Sequence, residues 1–180
     1  TQQRPDLLIT RARIAISMAT FYMRKGSYAE ALRYLQEHLD VGQRIGDRHH
    51  EGLALAALGN LHGHIDEIDK AVHYSERGLA ILNECADYMH EAGYRCNYAI
   101  QLIAAGRASD ALHHSSMALE RSRAHHYEVI EVYALNSVGM ALIFLNRHAE
   151  AVTYLRDGLT KDPSLMDEWL ITALHLYYGN

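Results

Sequence analysis

The stretch GSYAEALRYLQEHL, Gly26 to Leu39, returns three times: as DEIDKAVHYSERGL from Asp66, GRASDALHHSSMAL from Gly106 and NRHAEAVTYLRDGL from Asn146. The four align without a gap. Ala31, Ala71, Ala111 and Ala151 stand 40 residues apart, and so do Leu39, Leu79, Leu119 and Leu159. Upstream, Ala19, Gly59, Ala99, Gly139 and Gly179 keep the same step. Self-similarity at a fixed period of this size is the signature of an array of one supersecondary unit, each copy needing its neighbours to bury its apolar faces.

Each period reads as two helices. Apolar residues recur at three- and four-residue spacing over roughly residues 50–64 and again over 68–84 and their images, and no strand-like alternation is present. Short polar links such as Gly26-Ser27 and Gly106-Arg107 suit tight helix–helix turns. Gly46-Asp47 offers a helix stop followed by an N-cap, and Asp87 and Asp167 repeat the cap where Tyr127 does not. Glu51, Glu91 and Glu131 fall in the following first turn, where a carboxylate favours the helix dipole. The small residues mark places where helices approach closely; a larger side chain there would overpack the contact by roughly 1–3 kcal/mol. Tyr22, Tyr28, Leu35, Leu102, Leu142 and Leu155 are expected to fill the space beside them. The fold is therefore expected to be all-α, an array of antiparallel helical hairpins.

Composition narrows the function. The 180 residues are 49% hydrophobic and 22% charged, with two prolines, which excludes a disordered or collagenous chain. No apolar run approaches the ~20 residues of a membrane span, and no leader precedes the first pattern. A cytoplasmic setting is expected, since two cysteines, Cys85 and Cys96, make neither a disulfide framework nor a metal spacing. The net charge of −5 is uneven: residues 1–50 hold eight basic and five acidic side chains, the remainder nine and seventeen. No basic stripe argues for direct nucleic-acid contact. The opening Thr1 reads as a cut from a longer chain.

Catalysis and metal binding find little support. There is no phosphate-cradling loop, nucleophile elbow or zinc-protease motif. Asp66, Glu67 and Asp69 read as capping and dipole partners, and Cys96 has no His–Asp pair in register. Of thirteen histidines, six form the adjacent pairs His49-His50, His113-His114 and His125-His126. Neighbours on a helix diverge by about 100°, so a pair does not converge on one ion; His62 and His64 are no better spaced. His73 and His113, one period apart, are a weak zinc or nickel candidate. No catalytic residue, metal or cofactor is expected, and a histidine ridge of this kind gives sensitivity to pH.

The sequence resembles the tetratricopeptide repeat. Leu58-Gly59, Gly26-x-Tyr28-x-x-Ala31-Leu32, Ala118-Leu119 and Pro163 carry the resemblance over nearly the whole chain. It departs from the standard 34-residue unit in its period of 40, and in an aromatic one place early, at Tyr34, Tyr74 and Tyr154, with His114 in the third unit. The resemblance implies a right-handed α-solenoid of about four and a half repeats in a single array, 1–180. The repeats run at approximately 11–46, 51–86, 91–126 and 131–165, with 167–180 as the first helix of an incomplete fifth or a capping helix. The 40-residue form is similar to arrays in large bacterial signal-responsive transcriptional regulators of the MalT and AfsR kinds, where the repeats are the sensor or partner-binding arm. It is also similar to scaffold arrays such as kinesin light chain and spindle-orientation adaptors.

In such arrays the first helix of each hairpin lines a concave groove that takes a protein or peptide. The resemblance places Arg13, Ser17, Thr20 and Arg24 there, then Ala56, Asn60 and His64. Cys96, Asn97, Ile100 and Ala104 follow, and Tyr133, Asn136, Met140 and Phe144 close the groove. Amide side chains at Asn60, Asn97 and Asn136 match an extended peptide, since each both donates and accepts. The carboxylate clamp for chaperone tails is not expected, because Ala56, Tyr133 and Ser137 stand where it needs cations. Arg13 and Arg24 give one end positive character, while Tyr133, Met140 and Phe144 make the other apolar, so a ligand with one acidic and one apolar end fits. Finally, Trp169, Leu170, Ile171, Leu174, Tyr177 and Tyr178 form an apolar helix lacking its hairpin partner, which favours self-association through that end.

Overall fold

A computed structural model describes residues 5–161 together with Ser164 and Thr172, with side chains from residue 7 onward. Eight α-helices and no strand occur among the described residues: α1 Pro5–Arg24, α2 Tyr28–Ile45, α3 Arg48–His64, α4 Ile68–Glu84, α5 Tyr88–Ala104, α6 Ala108–Ala124, α7 Glu128–Phe144 and α8 His148–Leu159. The all-α hairpin array expected from the repeat is the fold observed. The apolar stretch Trp169 to Tyr178, the Asp167 cap and Pro163 lie outside the described residues.

The chain packs as two compact units, Thr1–Asp87 and Tyr88–Asn180. The division falls between Asp87 and Tyr88, at a joint between repeats. In the first unit α1 pairs with α2 and α3 with α4, and α2 lies across α3; in the second α5 pairs with α6, α6 packs on α7, and α7 pairs with α8.

Every joint is built the same way. The residues at 26, 46, 66, 86, 106, 126 and 146 all adopt left-handed backbone, with φ between 56° and 75°, so the period of 40 is two joints 20 residues apart. After each, one amide reaches back across the end of the preceding helix, as in Ser27 N to Tyr22 O at 2.9 Å, Glu67 N to His62 O at 3.0 Å and Arg147 N to Leu142 O at 2.8 Å. This bond satisfies a carbonyl that a helix end would leave orphaned. Asp47 caps α3 as expected, its Oδ1 accepting from His50 N at 3.0 Å, while Tyr127 supplies no side-chain cap to α7.

The small residues do what their recurrence predicts. A Cβ on Gly59 would stand 2.8 Å from the Ser75 amide nitrogen, and one on Gly139 2.6 Å from Leu155 Cγ. Gly78 is equally tight, 2.8 Å from Ala56 Cα. Ala12, Ala19, Ala31, Ala71, Ala99 and Ala111 are all fully buried. In the first three repeats the ring at this place packs back on its hairpin partner: Tyr34 on Tyr22 at 5.6 Å, Tyr74 on His62 at 5.3 Å, and His114 edge-on to Tyr98 at 4.9 Å. Such ring pairs add about 0.5–1.5 kcal/mol beyond the area they bury.

Candidate binding surface

The groove residues fall into register. Taken by steps of 40, Thr20, Asn60, Ile100 and Met140 share one position, and Arg24, His64, Ala104 and Phe144 another. Along each first helix these are places i, i+4, i+7 and i+11 counted from residue 13, 53, 93 or 133, one helical face.

In the first unit, α1 presents Arg13, Ser17, Thr20 and Arg24, all exposed, and α3 presents half-buried Asn60 and exposed His64. The Ser17 hydroxyl donates to Arg13 O at 3.0 Å and the Thr20 hydroxyl to Ile16 O at 2.9 Å. Both oxygens keep acceptor capacity toward solvent. The His64 ring stacks on Tyr28, centroids 5.9 Å apart and 13° from parallel, which fixes the imidazole at the end of α3.

In the second unit, α5 presents half-buried Asn97 and Ile100, and α7 presents half-buried Tyr133 and Met140 with Phe144 exposed. Among the described residues neither the Asn60 nor the Asn97 amide has a side-chain partner. Neither amide holds a fully buried orphaned atom, so both reach solvent and can exchange water for the donors and acceptors of a polar ligand.

Three of the expected groove residues are placed elsewhere. Asn136 belongs to none of the groove positions and is 1% exposed; its Nδ2 donates to Met140 Sδ at 3.6 Å, and Oδ1 has no partner. It faces into the packing, as its images Ala56 and Cys96 do. Ala56 is buried against Gly78. Cys96 is buried among Ala118, Ala134 and Leu135 rather than lining a groove. Its thiol is held 3.4 Å from Ala92 O, and burial pushes its pKa up to about 12, so it is no nucleophile.

The charged residues also differ from their expected roles. Glu67 does not cap α4; it accepts from Lys70 Nζ at 3.0 Å and lies 2.6 Å from His62 Nδ1, and these bonds lower its pKa. The first-turn glutamates are ties between helices. Glu131 takes Arg123 of α6 and Lys161, each at 3.0 Å. Burial raises its pKa, but those hydrogen bonds outweigh it and leave the group below its ordinary value. Glu91, fully buried, accepts from Arg95 one turn on and from Arg121 of α6 at 3.0 Å. Arg95 in turn donates to His114 Nδ1 at 2.6 Å. Partners 30 residues apart in sequence give no local signal; the recurrence of Glu at 51, 91 and 131 was the available clue.

Family models of the tetratricopeptide repeat match residues 10–84 and 132–164. No curated protein matches the chain. Among solved structures it is similar to a Rap protein complexed with Competence and Sporulation Factor, at 15% identity and a TM-score of 0.79 over 94% of this chain and 49% of that one. The chain thus spans about half the length of that protein. It is also similar to a putative kinesin light chain with nearly identical TPR-like repeats from Podosopora anserina, at 14% identity and a TM-score of 0.72, covering 99% of this chain and 88% of the other.

Proposed function

Because this chain belongs to the tetratricopeptide repeat family, we propose that it is a protein- or peptide-binding module, the partner-binding arm of a larger signal-responsive regulator. The observation that carries the binding role is the pair of half-buried, unpartnered amides of Asn60 and Asn97, set on the first helices of their hairpins. Each would bond the backbone of an extended segment. Arg13 and Arg24 favour an acidic end of the ligand, and Ile100, Met140 and Phe144 an apolar one. The regulator context rests on the resemblance of the 40-residue units, and the likeness to a Rap protein complexed with Competence and Sporulation Factor supports it. No helix among the described residues is long and apolar enough to cross a membrane; a cytoplasmic place is part of the same proposal.

The test is selection from a random peptide library on the full chain. Binders should carry acidic residues at one end and apolar ones at the other, and Asn60→Ala with Asn97→Ala should weaken them at least tenfold. Selected peptides bound equally well by the double variant would sink the groove assignment.

A second reading, a scaffold that assembles with itself or with other proteins, is supported by the likeness to the kinesin light chain-like repeats and by the apolar residues Trp169, Leu170, Leu174, Tyr177 and Tyr178. Light scattering decides it: a concentration-dependent rise in mass abolished by Trp169→Asp with Leu174→Asp favours the scaffold.

A further inference from the structure

Helix α5 carries a glycine that its packing does not ask for. Gly42, Gly52, Gly59, Gly78 and Gly139 are each held by a neighbour: a Cβ on any of them would stand 3.0 Å or less from an atom of another residue. Gly93 is different. It lies inside Tyr88–Ala104, and a Cβ built there would meet only Ile130 Cδ1, at 3.9 Å, an ordinary van der Waals distance. Its backbone is not left-handed either, since the positive-φ glycines are Gly26, Gly46 and Gly106. A glycine inside a helix is less favourable than an alanine, so neither its conformation nor these contacts account for it.

The register shows what is missing there. The images of Gly93 are Arg13, Leu53 and Tyr133, each a long side chain, and among the four first helices α5 alone is bare at this position. The same face of α5 continues with half-buried Asn97, half-buried Ile100 and exposed Ala104. Helix α7 runs beside it, tied by the Ser137 hydroxyl donating to Cys96 O at 3.5 Å. Ile130 and Tyr133 of α7 pack against the core of Cys96, Ala118, Ala134 and Leu135 and stay only partly buried. The Gly93 backbone is thus the floor of a hollow beside Ile130 and, at the image position on α7, Tyr133. Asn97 stands one turn further along. Glycine is the residue that lets another chain come close to a backbone.

On the reading that these first helices line a peptide site, we propose that Gly93 sets its specificity. The main chain of an extended ligand passes over the α5 backbone at Gly93, and one apolar side chain of the ligand fills the hollow against Ile130 and Tyr133. A ligand running along α5 has a matching repeat. The four residues of helix from Gly93 to Asn97 span about 6 Å, and two residues of extended chain span about 7 Å. A peptide group bonded to Asn97 therefore places a side chain two residues away at Gly93. Ile130 and Tyr133 offer that side chain carbon surface, so the anchor is apolar rather than charged. Any side chain at residue 93 would occupy the space the anchor needs.

The probe is a random peptide library, selected in parallel on the full parent chain and on Gly93→Leu, with the chosen peptides titrated by fluorescence anisotropy. Peptides chosen on the parent should share an apolar residue at one fixed place, and Gly93→Leu should weaken them at least tenfold. Peptides chosen on Gly93→Leu should carry glycine or alanine at that place. Gly93→Ala reads the fold by itself: its denaturation midpoint should rise, because the helix gains and no neighbour is displaced. A fall in that midpoint, or a loss of helix content in Gly93→Leu by circular dichroism, shows a packing role and overturns the proposal. Parent binders weakened by Asn60→Ala with Asn97→Ala yet indifferent to Gly93→Leu overturn it while leaving the groove in place. An absence of binders, or binders indifferent to all of these changes, removes the groove and the proposal together.

Discussion

His38 stands where the later repeats carry Gly78, Ala118 and Gly158. It is fully buried, shares a hydrogen bond with His50, and leaves its Nδ1 without a partner. Burial, with the neighbouring His50 next in weight, lowers its pKa to about 4. The unfolded chain therefore takes up a proton near pH 6.5 that the folded chain refuses until about pH 4. Stability from this site is complete above pH 6.5 and is lost as pH falls toward 4. Denaturant titrations at pH 4.5 and 7 should show a smaller difference in midpoint for His38→Leu than for the parent chain, and an unchanged difference would refute the assignment. Glu91 is the other buried singularity. Its removal leaves Arg95 buried without its carboxylate, so Glu91→Ala should cost about 3–5 kcal/mol, read by chemical denaturation. Glu150→Ala, which breaks an exposed pair with Arg147, should cost next to nothing. The sequence showed Glu91 as part of a column of acids, but His38 was not singled out there. It showed neither partner, because those contacts depend on which helix lies across which.

At the scale of the element, the seven joints show which residues the turn itself requires. Glycine occupies three of the left-handed positions, at 26, 46 and 106, while Asp66, Ala86, His126 and Asn146 hold the others. Left-handed backbone costs an L-residue with a Cβ roughly 1–2 kcal/mol, least for Asn and Asp. Ala86→Gly should therefore stabilise the chain by about 1 kcal/mol, and Gly26→Ala should destabilise it by a similar amount although its Cβ would meet nothing. Thermal melts of the two variants should move in opposite directions. The ranges roughly 50–64 and 68–84 became Arg48–His64 and Ile68–Glu84, while α1 begins at Pro5, five residues ahead of the image of 50–64. The equal 20-residue spacing of the joints was not legible, because only three of the seven carry glycine.

Across the molecule, stability is divided among helix interfaces within each unit, so a lesion should be felt locally. Gly59→Ala presses a Cβ against the Ser75 backbone and should cost at least about 1–3 kcal/mol. Hydrogen exchange should report lost protection in α3 and α4 before any in α6 to α8; uniform loss across the chain would show a single cooperative unit instead. The sequence by itself determined the period, the pairing of helices into hairpins and the small-residue contacts, because each is written at fixed spacing along a helix or between consecutive helices. It also placed most groove residues on one face, since Thr20 and Asn60, or Ile100 and Met140, repeat at the period. The tertiary structure alone decided the rest. It buried Asn136, Ala56 and Cys96, tied Glu91 to Arg121 and Glu131 to Lys161, and left Leu7, Ile14 and Phe21 uncovered. The reason is geometric: in an array of alternating helices every side chain has helical neighbours on several sides. Its exposure then follows from which helix crosses it, and sequence distance does not measure that.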